Sequence, residues 1–157
     1  MGREGPETKF VHLVRRSLSI QYGKKVCVWK FHATEYDPPG VPDLIGHIEG
    51  LFVGLEIKAN GGYPTHPQVE WVIENGQSGA FTGFLFEYRD EAYFCHWTIL
   101  LSWQELKKLR SPKFSYEPGF LSLCAKLPYR RTPTNESYVH LKTSFTQYGL
   151  TAQGEQS

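Results

Sequence analysis

The sequence is poor in cysteine, which excludes two common ways of stabilising a small domain. It has three cysteines, none of them in a Cys-x-x-Cys pair: Cys27, Cys95 and Cys124. An odd and scattered set indicates neither a disulfide framework nor a cysteine zinc site, so we interpret all three as buried thiols. A histidine zinc site would rest on four residues that are not paired at the short spacings such sites use: His32, His47, His66 and His96.

Long apolar runs and a strong net charge are also missing. No run approaches the ~20 residues that cross a bilayer, and residues 1–6 lack the apolar segment of a secretory signal. We therefore expect no membrane contact and a cytoplasmic or other intracellular location. A net charge of +1 is too small to attract nucleic acid globally, so any DNA contact must use local basic patches. The candidates are Arg15-Arg16, Lys24-Lys25, Lys107-Lys108 with Arg110, and Arg130-Arg131.

The length and composition predict a single globular domain. The 157 residues are 40% hydrophobic and 15% aromatic, enough for one sizeable core. We predict one domain over residues 1–150 and a disordered tail over 151–157. The predicted elements are a helix from Pro6 to about Tyr22, a strand over 26–31, a hairpin of 81–88 and 92–98 around 89–91, a helix from Ser102 to about Leu109, and a last strand over 139–142.

Residues 40–58, GVPDLIGHIEGLFVGLEIK, carry the most informative pattern in the chain. Glu49-Gly50 reads as a two-residue hairpin turn between two short strands. If Ile48 pairs with Leu51, counting outward places Asp43 directly opposite Glu56. Side chains alternate along strands, so one face of this hairpin is almost purely aliphatic. The other face has two carboxylates and Lys58 at its open end.

Opposed carboxylates repel unless something offsets their charge, and a divalent cation would do so. Mg²⁺ binds through one or two carboxylates plus water and phosphate oxygens, which is the ligand set that Asp43 and Glu56 offer. Lys58 points to the same side and would reach an attacking water or a phosphate oxygen. The simpler alternative is a surface hairpin with one ion pair between Glu56 and Lys58.

Gly40-x-Pro42-Asp43, then Glu56-Ile57-Lys58, then Gln68 at a helix start, resembles the PD-(D/E)XK nuclease superfamily. Two of its subgroups fit, the virus-type replication and repair nucleases and the Holliday-junction resolvases. The resemblance implies a restriction-endonuclease-like α/β fold with a mixed central sheet of four or five strands flanked by helices.

The resemblance also implies an activity, a Mg²⁺-dependent DNA endonuclease in which Mn²⁺ substitutes for Mg²⁺. Metal ligands would be Asp43, Glu56 and the backbone carbonyl of Ile57. An acidic residue of the first helix would join them, and Glu7 is the matching position. Products would carry 5′-phosphate and 3′-hydroxyl ends, and the enzyme would often be a homodimer.

Several alternatives stay open from the sequence. Gln68 stands three residues after Thr65, which is capping-box spacing, so its side chain either binds backbone at the helix start or orients a phosphate or water. Glu7 is also explained by the dipole of a helix N-terminus. The whole chain could be a nuclease fold that only binds or organises DNA, or a hydrolase that acts on another substrate through its carboxylate pair.

Overall fold

A computed structural model describes residues 5–32, 34–60, 62, 64–107, 118–131, 134 and 136–151 of the chain. Its helices are α1 (Pro6–Tyr22), α2 (His66–Gln77), α3 (Trp97–Lys107), α4 (Pro118–Leu121) and α5 (Lys142–Gln147). Its strands are β1 (Val26–Lys30), β2 (Leu44–Ile48), β3 (Leu51–Ala59), β4 (Phe81–Tyr88), β5 (Glu91–His96), β6 (Ala125–Leu127), β7 (Tyr129–Arg131) and β8 (Ser137–Val139).

The first helix has the bounds that its sequence predicts. Its apolar stripe at helical spacing is buried: Phe10, Val11, Val14 and Leu18. The helix ends at Gly23, whose φ of +57° is a conformation that residues with a Cβ avoid. The Gly23 N–H donates to the carbonyl of Ser19, which satisfies one of the last backbone acceptors of the helix.

Six strands form a mixed sheet in the order β1-β2-β3-β4-β5-β6. Only β3 and β4 pair in parallel among these strands, and α2 is the crossover between them. The predicted mixed sheet flanked by helices is confirmed. It has one strand more than the upper end of the predicted range, because residues 125–127 pair with the outer edge of β5.

The sheet separates two buried clusters, one on each face. Helices α1 and α5 cover the first cluster, which includes Leu44, Leu55 and Ile57 from the hairpin. Helices α2, α3 and α4 cover the second, which includes Phe84 and Phe86 of β4. The central strands β3 and β4 are therefore covered on both sides. For this reason we expect the backbone at the C-terminal end of β3 to be rigid.

The second hairpin differs from its prediction at both ends. Its turn is only two residues, Arg89 and Asp90, which both adopt positive φ, and position 91 already belongs to β5. The strand ends at His96, and α3 begins at Trp97 rather than at position 102. Thr98 explains the early helix start, because its N–H donates to His96 Nδ1. The predicted helix end near position 109 lies outside the described residues.

The predicted last strand over 139–142 is also wrong in its bounds. The strand ends at Val139, and position 142 already begins α5. Gln21 of α1 accounts for this, because its side-chain oxygen accepts from the N–H groups of Leu141 and Lys142. Those two donors are then unavailable to a strand partner. Residues 152–157 of the predicted tail fall outside the described residues.

Across the ranges described, no helix combines the length and apolar character that crossing a bilayer requires.

Candidate active site

The hairpin of β2 and β3 has the register that the sequence predicts. Ile48 pairs with Leu51 and Leu44 with Leu55 around the turn at positions 49 and 50. Glu49 and Gly50 have φ values of 52° and 85°, as a tight two-residue turn requires. The two acids meet one residue beyond the paired strands, where the Asp43 N–H donates to Glu56 Oε2 over 3.2 Å.

Gly40 shows why this loop needs a glycine before Pro42 and Asp43. Its φ is +85°, and a Cβ there would lie 2.2 Å from the carbonyl oxygen of Pro67. The loop that delivers Asp43 therefore packs directly on the first turn of α2. Gln68 lies in that turn, so the same close approach brings α2 to the acidic pair.

Gln68 makes the capping contact that the sequence posed as one alternative, and it makes a second contact, to Glu56, that the sequence did not predict. Its side-chain oxygen accepts from the Thr65 N–H over 2.9 Å, and its own N–H donates to the Thr65 hydroxyl, which completes a capping box. Its side-chain nitrogen donates to Glu56 Oε1 over 3.2 Å. The cap thus holds the amide in an orientation where its donor meets the Glu56 carboxyl group.

Glu7 of α1 completes a cluster of three carboxyl groups. One oxygen each from Glu7, Asp43 and Glu56 can be chosen so that all lie within 4.8 Å of one another. Hard divalent cations prefer oxygen ligands of this kind, so the donor set fits a metal ion. Within the described part of the chain, this is the only group of three or more acidic, histidine or cysteine residues close enough to share an ion.

Two lysines flank the cluster. Lys58 is 9% exposed, and its Nζ lies 3.8 Å from Glu56 Oε1. Lys30, at the end of β1, lies closer to its partner, with Nζ 2.7 Å from Asp43 Oδ1. Lys30 was not predicted as a site residue from the sequence. The signal that would have found it is the pairing of β1 with β2, which places Lys30 opposite Leu44 and so beside Asp43.

The environment drives the pKa values of the two opposed acids apart. Burial, followed by repulsion from Asp43, raises the pKa of Glu56 to about 9. Burial would also raise the pKa of Asp43, but hydrogen bonds with Glu56, Lys30 and the Ile57 N–H outweigh it and lower that pKa. Burial raises the pKa of Glu7 as well. The environment therefore favours the protonated form of Glu56 and the ionised form of Asp43.

The other polar candidates lie apart from this cluster. His47 is exposed and meets Phe52 edge-on, while His66 pairs with Glu70 on the surface of α2. The prediction of three buried thiols is wrong for Cys27, which is exposed. It occupies an outward position of β1, an edge strand of the sheet.

Comparisons with known proteins agree with the architecture. No protein-family model matches the chain, and no curated protein matches it. Among solved structures, the chain is similar to Archaeoglobus fulgidus Hjc, a Holliday junction resolvase from an archaeal hyperthermophile. The TM-score is 0.51 at 15% sequence identity, over 74% of this chain and 94% of that one. This likeness shows a shared restriction-endonuclease-like fold.

Proposed function

We propose that the chain is a metal-dependent DNA endonuclease that hydrolyses phosphodiester bonds in branched DNA. The proposal is carried by three carboxyl groups that meet in one place: Glu7 from α1, Asp43 from the loop before β2, and Glu56 from β3. The buried Lys58 lies beside them. Holding these acids together costs stability unless a proton, the two lysines or a cation offsets their charge, and a bound cation would turn that cost into a function.

Asp43, Glu56 and Glu7 would hold the ion, which we propose is Mg²⁺, with Mn²⁺ as a substitute. When bound, such an ion supplies an activated water and offsets charge on the phosphate. The backbone carbonyl of Ile57 is the fourth proposed ligand. Its N–H donates to Asp43 Oδ2 over 3.1 Å, and the N–H and C=O of one strand residue point to the same neighbour. This supports a carbonyl that faces the acidic cluster.

The remaining polar groups would orient the reacting atoms. Lys58 is proposed to position the nucleophile or to stabilise negative charge in the transition state. Lys30 would keep Asp43 ionised and ready to bind a cation. Gln68 would hold the Glu56 carboxyl group in place through its amide donor, with its own rotamer fixed by the helix cap.

The proposed substrate is a Holliday junction or related branched DNA, which would place the enzyme in DNA recombination or repair. The similar archaeal protein is described as a Holliday junction resolvase, and the overlap covers nearly all of that chain. We further propose products with 5′-phosphate and 3′-hydroxyl ends and a homodimer that cuts both strands. Sedimentation of the purified protein with and without junction DNA would test the dimer.

Cleavage of a four-way junction, compared with its separate duplex arms, tests the proposal. Unaltered protein in Mg²⁺ should cut the junction, and Asp43→Asn and Lys58→Ala should not. Glu91→Gln is the matched control, because it makes a carboxylate-to-amide change on β5, away from the acidic cluster. Binding without cleavage in Mg²⁺ or Mn²⁺ would instead favour a catalytically silent DNA-binding or scaffolding module. Absence of any DNA affinity would favour a hydrolase that acts on another substrate.

A further inference from the structure

A cleft of about 320 Å³ lies between the outer side of α1 and the end of β1. Its lining residues are Thr8, Val11, His12, Arg15, Lys30 and His32. Among the described residues, the lining has an arginine, a lysine, two histidines and a hydroxyl group but no carboxylate. A near-neutral chain has thus concentrated cationic and hydrogen-bond-donating groups in one concave surface.

The cleft adjoins the candidate active site through Lys30. This lysine lines the cleft and also contacts Asp43 Oδ1 over 2.7 Å. The helix that supplies Thr8 and Arg15 to the cleft also supplies Glu7 to the acidic cluster. A DNA strand bound at the acidic cluster would therefore have the cleft within reach of its neighbouring nucleotides.

The two members of the Arg15-Arg16 patch have different environments. Arg16 donates to the carbonyl of Ser137 over 2.9 Å and so connects α1 to β8. Arg15 is exposed and, within the described residues, makes no ion pair or hydrogen bond. An arginine that faces a cleft without a carboxylate partner presents its planar set of donors to an incoming anion.

We propose that this cleft binds a backbone phosphate of the DNA strand, next to the phosphate that is cleaved. The inference rests on the proposed function and adds where the strand is held. Arg15 supplies the main contact, His32 and Thr8 donate hydrogen bonds, and Lys30 lies between this phosphate and the acidic cluster. A single phosphodiester suits the site, because its donors converge from two elements and the described lining has no carboxylate to repel the phosphate.

The test measures binding of a fluorescent four-way junction in EDTA, where metal-dependent cleavage does not occur. Arg15→Ala should weaken binding about tenfold, and it should reduce the slope of log affinity against log salt by about 0.9, as expected for one lost phosphate contact. Arg15→Lys keeps the charge and should restore the slope. Lys126→Ala is the control, because Lys126 lies on β6, at the opposite edge of the sheet, in an exposed pair with Glu91.

Neutral methylphosphonate substitutions then locate the phosphate. Replacing one phosphate beside the cleavage site should weaken DNA binding by the unaltered protein. The same replacement should not further weaken DNA binding by the Arg15→Ala variant. Equal binding and equal salt slopes for the unaltered protein and Arg15→Ala would overturn the inference, even if the junction is cleaved in Mg²⁺. Binding that depends on Arg15 without cleavage in any metal would overturn the proposed function and leave the phosphate cleft standing. No binding by the unaltered protein would overturn both.

Discussion

In the metal-free protein, ionising the buried Glu56 side chain lowers the folding stability, and Glu56→Gln should remove this effect. Burial and Asp43 raise the Glu56 pKa from 4.5 to about 9 in the folded chain. The unfolded chain releases this proton at the lower value. Stability from the protonated acid is therefore complete below pH 4.5 and is lost progressively as pH rises towards the folded value.

The expected size follows from the linkage between proton binding and folding. Between the two pKa values, the free energy of unfolding falls by up to about 1.4 kcal/mol per pH unit. From about pH 7 to about pH 8.5 the unaltered protein should lose ~2 kcal/mol through Glu56. Two other shifted groups do not titrate in this window. Burial lowers the His96 pKa to about 4 from an ordinary value of 6.5, and the Asp43 pKa is lowered from 3.8.

The assay is urea unfolding followed by tryptophan fluorescence in EDTA at both pH values. Glutamine has nearly the same shape and does not titrate, so the pH dependence should be largely absent in Glu56→Gln. Adding Mg²⁺ should restore stability to the unaltered protein most strongly at the higher pH, because a cation competes with the proton for the carboxylates. Identical pH dependence in the two proteins would refute the reasoning about this buried acid.

Three further predictions concern the loop, the helix cap and the second lysine. Gly40→Ala should lower the free energy of unfolding in urea by about 2–3 kcal/mol, because position 40 has a positive φ and an added Cβ would clash with the Pro67 carbonyl. A decrease of less than about 1 kcal/mol would contradict this. Gln68→Ala should lower both stability and cleavage, whereas Gln68→Glu should keep the helix cap and lose cleavage alone; full activity in the glutamate variant would argue against the amide contact. Lys30→Met should raise the Asp43 pKa and so move the acid limb of the pH–rate profile to higher pH; an unmoved limb would show that Lys30 does not keep this acid ionised.

Sequence pattern was sufficient where the determining interactions are local. The bounds of α1 follow from its apolar spacing and from Gly23, and the register of the β2–β3 hairpin follows from Glu49-Gly50. Both depend on residues near one another in the chain, where backbone preference and alternation fix geometry. The opposition of Asp43 and Glu56 was predictable for the same reason.

The sequence pattern predicted the wrong element bounds where contacts between distant segments decide the structure. The apolar stretch after His96 fits a short strand or a helix equally well, and packing against α2 favours the helix. Trp97 shows this packing, because its ring fills the place that a Cβ at Gly76 would take. In the same way, a side chain on α1 ends β8 by accepting hydrogen bonds from residues about 120 positions further along.

By itself, the sequence determined the hairpin, its register and the identity of two opposed acids, because short-range turn chemistry and strand alternation dictate them. Only the tertiary structure decided that Glu7 and Lys30 join these acids, that Gln68 serves the cap and Glu56 together, and that Arg15 faces a cleft. These contacts form when α1, β1 and α2 pack on the sheet, and the distances that result depend on the whole core rather than on neighbours in the chain.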